Sequence, residues 1–182
     1  FRGLKRNLHL RAAVKEGSKT VAKDEFPAQN GIPVQLAISN PRTWSPESPF
    51  LYEITFEVVD GGKVVDTVKS YAGMRKIHVE GDTFFLNNKP YYLRLVLDQG
   101  FYPDGIWTAP SDAALKKDIE LSMNAGFNGA RLHQKVFEER FHYWADKLGY
   151  LTWGEFPSWG TDVKDPVAAR NFITEWLEVI GR

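Results

Sequence analysis

The sequence predicts a multidomain β plus α/β fold, with an antiparallel β-sandwich over residues 1–80 and parallel βα units over residues 81–182. Up to about residue 80 the apolar residues recur at every second position, which is the period of a half-buried strand. From about residue 84 they recur at helical spacing, and short apolar runs separate the helical segments. Alternation of strands and helices is typical of parallel sheets. The change of period therefore divides the chain into two halves of different class.

Alternating strands define the first half. The stretches "LHLRAAV" and "YEITFEVV" each carry an apolar face. The apolar positions are Leu8, Leu10, Ala12 and Val14 in the first stretch and Tyr52, Ile54, Phe56 and Val58 in the second. Asp60-Gly61-Gly62 then supplies a tight turn into the strand "KVVDTVKSY". Short alternating runs with Gly, Asn and Pro between them indicate an antiparallel sandwich.

The second half opens with a hairpin, "FFLNNKPYYLR", which turns at Asn87-Asn88. Three strand and helix pairs follow, with the strands in "YYLRLVL", "FNGARL" and "YLTW". Residues at the helix ends mark where each helix begins or stops. These are the N-cap Ser111 and the stop Gly126 of the first helix, the stop Gly149 of the second, and Asp165 followed by Pro166 at the start of the third.

Composition excludes several classes of protein. The chain has 182 residues, and its 23 Lys and Arg balance 23 Asp and Glu, so no basic patch indicates a nucleic-acid partner. It has no cysteine, which excludes disulfides and thiolate metal sites. No apolar run reaches the length of a signal peptide or a membrane span, so no membrane insertion is expected. The chain opens without Met, in mid-pattern, which indicates a piece of something longer; its localisation is not indicated.

Polar residues follow the three predicted parallel strands at the point where each strand ends. Asp98 follows the first, Arg131 and His133 close the second, and Glu155 follows the third. Because chemistry in parallel α/β structures gathers at the carboxyl ends of the strands, we expect these four side chains to meet on one face. Trp159 lies in the next loop, "EFPSWG", where an exposed ring would suit sugar binding.

Each of these residues also has a structural interpretation. Arg131 could form an ion pair that only stabilises the fold, and Glu155 could be the acidic residue of that pair. His133 could be a hydrogen-bonded framework residue, and Asp98 could cap a loop. The four histidines lack metal-ligand spacing, and the chain contains neither a Gly-rich phosphate loop nor a G-x-S-x-G elbow. No metal and no other cofactor is expected.

Five stretches resemble one known family. They are "RTWSPESPFLYEITFEV", "YAGMRKI", "FFLNNKPYYLR", "LDQGFYPDG" and "NGARLHQKVFEERFHYWADKLGYLTWGE". In this order they resemble glycoside hydrolase family 2, the family of β-galactosidases, β-glucuronidases and β-mannosidases. The resemblance covers residues 40–160 well and the first forty only weakly. It implies an immunoglobulin-like β-sandwich in residues 1–80, followed in residues 81–182 by a hairpin and the first three βα units of a (β/α)8 TIM barrel.

The resemblance also implies roles for single residues. In the family signature Asn-x-x-Arg-x-Ser-His-Tyr-Pro, Asn128 and Arg131 match, while His133 takes the serine position and Gln134 the histidine position. Glu155 falls on the glutamate of the family's Asp-Glu-x-Asn segment, with a glycine in place of the aspartate. Arg131 and Glu155 are thereby expected to bind substrate, and His133 to be their neighbour. The Glu-x-His that binds magnesium in some members has no counterpart, since "WGT" stands there.

The family's two catalytic glutamates have no counterpart either. Members use an acid/base in an Asn-Glu pair after the fourth barrel strand and a nucleophile after the seventh, and retaining hydrolysis needs the two carboxyl groups roughly 5 Å apart. This chain contains no Asn-Glu dipeptide. The expectation is a fragment of a retaining, β-galactosidase-like glycosidase that holds part of the site for a β-linked sugar and is inactive alone. Its open barrel edge predicts self-association.

Two other interpretations stay open at this point. The chain could be a carbohydrate-binding or protein-interaction module that uses the sandwich and exposed tryptophans. It could also be a complete small α/β hydrolytic enzyme with Asp98 and Glu155 as its carboxyl pair, although three βα units do not close a barrel around such a pair.

Overall fold

The computed structural model describes residues 7–181. Those parts of the predicted domains that fall on residues 1–6 and on residue 182 lie outside the described residues. The chain divides into two compact units. The β unit comprises Phe1–His78 with Phe85–Lys89, and the α/β unit comprises Val79–Phe84 with Pro90–Arg182.

The β unit is built on one four-stranded antiparallel sheet with the strand order β2-β1-β3-β4. Its strands are β1 (Leu8–Glu16), β2 (Lys19–Pro27), β3 (Tyr52–Asp60) and β4 (Lys63–Ala72). The turn between β3 and β4 uses Gly61 and Gly62, both with positive φ, which glycine adopts without a steric penalty. The antiparallel pairing that the alternating pattern predicts is therefore confirmed.

Among the described residues of this unit, no second four-stranded sheet completes a sandwich. Residues 28–51, all of them within the described range, form turns, bends and isolated bridges instead of a strand. Apolar side chains of β1 and β3 are nevertheless buried on one side, among them Ala12, Val14 and Tyr52. The sandwich assignment for residues 1–80 therefore stays a prediction.

A small three-stranded sheet, β5-β6-β7, spans the boundary between the two units in sequence. Its strands are β5 (Ile77–Glu80), β6 (Thr83–Leu86) and β7 (Lys89–Pro90). Asn87 and Asn88 connect the last two with φ of 52° and 62°, as a two-residue turn with two left-handed residues requires. The hairpin predicted at this pair is confirmed. Asn87 is further fixed because its Nδ2 donates to the carbonyl oxygen of the buried Trp44 at 2.9 Å.

The α/β unit contains a three-stranded parallel sheet with the order β10-β9-β8. Its elements alternate along the chain as β8 (Leu95–Asp98), α1 (Asp112–Asn124), β9 (Gly129–Leu132), α2 (Glu139–Leu148), β10 (Leu151–Gly154) and α3 (Pro166–Ile180). In register, Leu97, Arg131 and Trp153 lie side by side across the three strands. The three parallel strands and their alternation with helices, which the sequence predicts, are confirmed.

The predicted helix ends also correspond to observed caps. Ser111 Oγ accepts the N–H of Ala114 at 3.2 Å, and the carboxylate of Asp165 accepts the N–H of Val167 at 2.9 Å. Gly149 ends α2 with φ of 81°. Helix α2 begins at Glu139, so Phe137 lies just before it.

The two faces of the parallel sheet have different surroundings. On one face, Ala130 and Leu132 pack with buried residues of the helices, including Leu115, Ile119 and Phe141. On the opposite face, Leu97 and Trp153 are 53% and 56% exposed. Because successive side chains of a strand point to opposite sides, the register assigns Arg131 to this second, open face.

Helix α3 is amphipathic, and its apolar face is largely open. None of its residues is buried, and Ile173, Leu177 and Ile180 are exposed. Phe156 contacts its Phe172 and Trp176 edge-to-face. Ile173, Leu177 and Ile180 on the same helix nevertheless stay more than half exposed.

Candidate functional site

A polar row lies at the carboxyl ends of the three parallel strands. Two positions beyond Leu97, Arg131 and Trp153, the strand alternation brings Gln99, His133 and Glu155 to the same open face. The contacts agree with this placement. Gln99 Nε2 lies 3.2 Å from His133 Nδ1, and the N–H of His133 donates to the carbonyl oxygen of Asp98 at 2.8 Å, which continues the pairing of the two strands.

Arg131 and Glu155 form the charged part of the row. Arg131 Nε donates to Glu155 Oε1, and the other carboxylate oxygen accepts the N–H of Gln134 at 3.1 Å. The hydrogen bond from Arg131 holds the pKa of Glu155 below its ordinary value, so Glu155 is ionised at neutral pH. Among the described residues, the terminal nitrogens of Arg131 have no partner. Half-exposed, they are available to a carboxylate or to sugar hydroxyls.

Asp98 is not brought to this row. Its neighbours in register and alternation, Val96 and Leu132, belong to the helix side of the sheet. Its Oδ1 accepts the N–H of Gly100 at 2.8 Å, so Asp98 caps the loop that follows β8. Burial raises its pKa above the ordinary value. We expected Asp98 to lie on one face with Arg131, His133 and Glu155. The structure places it on the opposite face, because the strand alternation turns its side chain toward the helices.

A shallow cleft of about 260 Å³ lies beside the row. It is lined by Gln99, Trp107, His133, Gln134, Lys135 and Trp159. The two tryptophans are exposed, Trp107 by 64% and Trp159 by 90%, and they come from two different βα loops. Flat apolar rings next to hydrogen-bonding groups suit a ligand with one apolar face and several hydroxyls, such as a pyranose.

Lys135 is buried under the cleft and holds the loop after β8. Its Nζ donates to the carbonyl oxygens of Trp107 at 2.7 Å and Gly100 at 3.1 Å. Glu138 lies 3.7 Å away and balances the charge. With these partners, the buried ammonium group of Lys135 stabilises the loop after β8. Its hydrogen bond to the carbonyl oxygen of Trp107 fixes the backbone of that residue beside the cleft.

Sequence reasoning gave no role to three of the cleft residues: Gln99, Trp107 and Lys135. For Gln99 a signal existed, because two-residue alternation from Leu97 puts Gln99, and not Asp98, on the face of Arg131. For Lys135 the sequence offers no signal, because a lysine in a loop beyond a short strand is ordinarily solvated.

Two further findings concern the described residues alone. Within residues 7–181 no helix is both long enough and apolar enough to cross a membrane. In the same range no three His, Asp or Glu side chains come together as metal ligands would.

Comparisons with known proteins agree on one family. Residues 5–75 match the family model described as glycosyl hydrolases family 2. A putative beta-glucuronidase of Formosa agariphila is 29% identical over 180 residues, which is 97% of this chain and 17% of that protein. A beta-galactosidase of Pseudoalteromonas haloplanktis is 28% identical over 81% of this chain and 15% of its own length. The chain thus spans less than a fifth of either relative.

Solved structures show the same likeness. A glycosyl hydrolase family 2 member from Bacteroides cellulosilyticus has a TM-score of 0.73 and 26% identity, covering 82% of this chain and 22% of that one. A β-glucuronidase from Ruminococcus gnavus has a TM-score of 0.80 over 95% of this chain and 29% of its own, and at 24% identity it bears on the fold alone. The fold and the comparisons define a glycoside hydrolase relative. The resemblance to glycosyl hydrolases family 2 that the sequence shows is confirmed by the family model, by these relatives and by the solved structures.

Proposed function

We propose that the chain forms part of the sugar-binding region of a retaining β-glycosidase. In this proposal residues 1–80 are an immunoglobulin-like β-sandwich, and residues 81–182 are a hairpin and the first three βα units of a (β/α)8 TIM barrel. The open face of the parallel sheet is then the barrel interior. Its exposed apolar residues, Leu97 and Trp153, support this assignment because barrel interiors are filled by side chains of the remaining strands.

One observation carries the proposal: the Arg131–Glu155 pair and His133 lie at the carboxyl ends of adjacent parallel strands, next to a cleft walled by Trp159. Arg131 is proposed to bind substrate and to orient carboxylates, and Glu155 to hold Arg131 in place while it accepts sugar hydroxyls. His133 and Trp159 provide a hydrogen-bonding group and an apolar wall. Asp98 has a supporting role in this scheme, since it caps the loop that begins at Gln99.

The chain alone is proposed to be inactive. Retaining hydrolysis needs one carboxylate to attack the anomeric carbon and another to protonate the leaving oxygen, at a separation of roughly 5 Å. Glu155 is occupied by Arg131 and by the N–H of Gln134, and Asp98 belongs to the other side of the sheet. This geometry speaks against a complete small enzyme that uses Asp98 and Glu155 as its pair.

The proposed ligand is a β-linked pyranoside. The relatives are a putative beta-glucuronidase and a beta-galactosidase, and a guanidinium suits a uronic acid carboxylate as well as neutral hydroxyls. Self-association through the open edges of the parallel sheet is part of the same proposal, because unpaired strand edges recruit other strands.

The experiment combines binding and turnover. The chain is titrated with methyl β-D-glucuronide and methyl β-D-galactoside by calorimetry, and it is assayed with the corresponding nitrophenyl glycosides. We expect weak binding of at least one sugar, its loss in Arg131→Ala, and no turnover. Lys117→Ala, a surface change on α1, is the matched control and should bind as the wild type does. Turnover that disappears in Glu155→Gln would overturn the proposal, as would the absence of any sugar binding.

A further inference from the structure

Gln134 lies two residues beyond the end of β9 and makes several polar contacts with the loop after β10. Its side-chain oxygen accepts the N–H of Ser158 and the N–H of Trp159, both at 2.8 Å. Its amide nitrogen lies 3.4 Å from Ser158 Oγ. Its own backbone N–H donates to Glu155 Oε2 at 3.1 Å. One residue therefore connects the charged pair of the site to the loop that carries the exposed tryptophan.

The backbone of Gln134 is in the left-handed region, with φ of 56°. A residue other than glycine, Asn or Asp seldom adopts this conformation, and surrounding contacts have to hold it there. Here the hydrogen bonds to Glu155 and to residues 158 and 159 are those contacts.

Trp159 depends on this connection for its place at the cleft. Its side chain is 90% exposed, so packing does little to fix it. Gln134 Oε1 accepts hydrogen bonds from two successive backbone amides, so it holds the backbone on both sides of the Ser158 α-carbon. Lys135, the next residue, holds the backbone of Trp107 in the same way from the other loop. Residues 134 and 135 together fix the two tryptophans that line the cleft.

We propose that Gln134 is a positioning residue whose side-chain oxygen fixes Trp159 as one wall of the cleft, and thereby raises the affinity of the cleft for a β-linked pyranoside. It acts through Trp159 and not on the reacting atoms. The inference rests on the proposed function as far as the sugar is concerned, while the connection itself exists without any ligand.

The connection is tested first, in the absence of sugar. Amide hydrogen exchange of Ser158 and Trp159 is followed by NMR in the 15N-labelled chain. Gln134→Met keeps the length of the side chain and removes its acceptor, so both amides should lose their protection. Gln134→Glu keeps an acceptor oxygen, although it adds a charge near Glu155, and should restore protection. Ser158→Ala removes only the long contact at 3.4 Å and should leave both amides protected.

The affinity is tested second, with methyl β-D-glucuronide and methyl β-D-galactoside as probes. Loss of two hydrogen bonds should weaken binding by up to roughly tenfold in Gln134→Met. In a double-mutant cycle, Gln134→Met should add nothing once Trp159→Ala is present, because Gln134 acts through that ring. An additive effect, or protection of both amides in Gln134→Met, would overturn the inference. Should Gln134→Met fail to fold, Gln134→Ala is measured in its place.

The two failures are distinguishable. If the wild-type chain binds neither probe, the proposed function and the stated effect on affinity fall together, and hydrogen exchange still decides whether Gln134 fixes the loop. If the wild type binds a probe and Gln134→Met binds it equally well, the inference alone is wrong.

Discussion

At the scale of single residues, the Arg131–Glu155 pair is the feature on which the candidate site depends. Arg131 is half-exposed on the open face of the sheet, and Glu155 is largely covered by it and by Gln134. A pair exposed to this degree adds little to stability, so its geometry is better explained by the orientation it gives to the remaining N–H groups of Arg131.

The first prediction concerns Arg131→Lys in the protein at its natural length. Lysine keeps the charge and loses the planar fork, so one hydrogen bond to a charged partner is lost, worth about 1.5–3 kcal/mol. We expect turnover of a β-glycoside to fall by about tenfold to a hundredfold while the melting temperature stays near that of the wild type. A lower melting temperature with normal turnover would show that the pair only stabilises the fold. Lys117→Arg, an exposed change on α1, is the control.

The second prediction concerns the pH dependence of stability. The pKa of Glu155 is lowered in the folded chain from an ordinary value of 4.5, mainly by the hydrogen bond from Arg131. A lowered carboxyl pKa stabilises the fold above the unfolded value, and that contribution is lost as the pH falls below about 4.5. The melting temperature of Glu155→Gln should therefore lie slightly below that of the wild type at pH 7, by the small amount that a half-exposed pair contributes, and the two should converge in acid. A difference that stays constant from pH 7 to pH 3 would contradict this origin.

Residue identity was easier to predict than residue direction. Arg131, His133 and Glu155 follow strand ends, and both the sequence and the structure bring them to one edge of the sheet. Asp98 follows a strand as well, but the register of β8 turns it toward the helices and turns Gln99 toward Arg131. The exact last residue of a strand decides this, and one position of uncertainty reverses the face.

At the scale of elements, period and caps were sufficient to predict the strands and helices. Two positive-φ asparagines form the hairpin, and Ser111, Gly149 and Asp165 lie at helix ends, because these residue types satisfy local backbone requirements. Burial of α3 could not be predicted in the same way. An apolar stripe shows that a helix is suited to packing, and it does not show which surface covers it.

The third prediction concerns Asn128, which lies just before β9 and forms hydrogen bonds to the segment just before β8. It is 8% exposed; its Oδ1 accepts the N–H of Arg94 at 2.7 Å and its Nδ2 donates to the carbonyl oxygen of Tyr92 at 2.8 Å. Asn128→Ala leaves both backbone groups without a partner, which costs about 1–3 kcal/mol for each group that stays buried. We expect a clear loss of stability in denaturant unfolding.

The exposed Asn124 at the end of α1 is the matched control, since Asn124→Ala removes the same side chain from a solvated position. Its stability should stay within about 0.5 kcal/mol of the wild type. Equal effects of the two substitutions would remove Asn128 from the framework of the site.

At the scale of the whole molecule, the two classes of structure were predictable because they have different hydrophobic periods. The pairing of sheets was not. Residues 28–51 form no strand although the β unit was expected to be a sandwich, and the strands that would cover the open face of the parallel sheet have no counterpart among the described residues. Local patterns specify elements, whereas layers depend on contacts between segments far apart in sequence.

The last prediction follows from the open face of the α/β unit. The sheet has unpaired edges at β8 and β10, and Leu97 and Trp153 on its open face are more than half exposed. Uncovered apolar faces and free strand edges favour association with another chain. Sedimentation velocity of the 182-residue chain should therefore show larger species as the concentration rises.

Trp153→Lys should reduce association, because it places a charge on the open face. Val65→Lys is the matched control, since Val65 is 58% exposed on the edge strand β4 of the other unit. If Val65→Lys reduces association and Trp153→Lys does not, the contact belongs to the β unit; a monomer at all concentrations would exclude association through either unit.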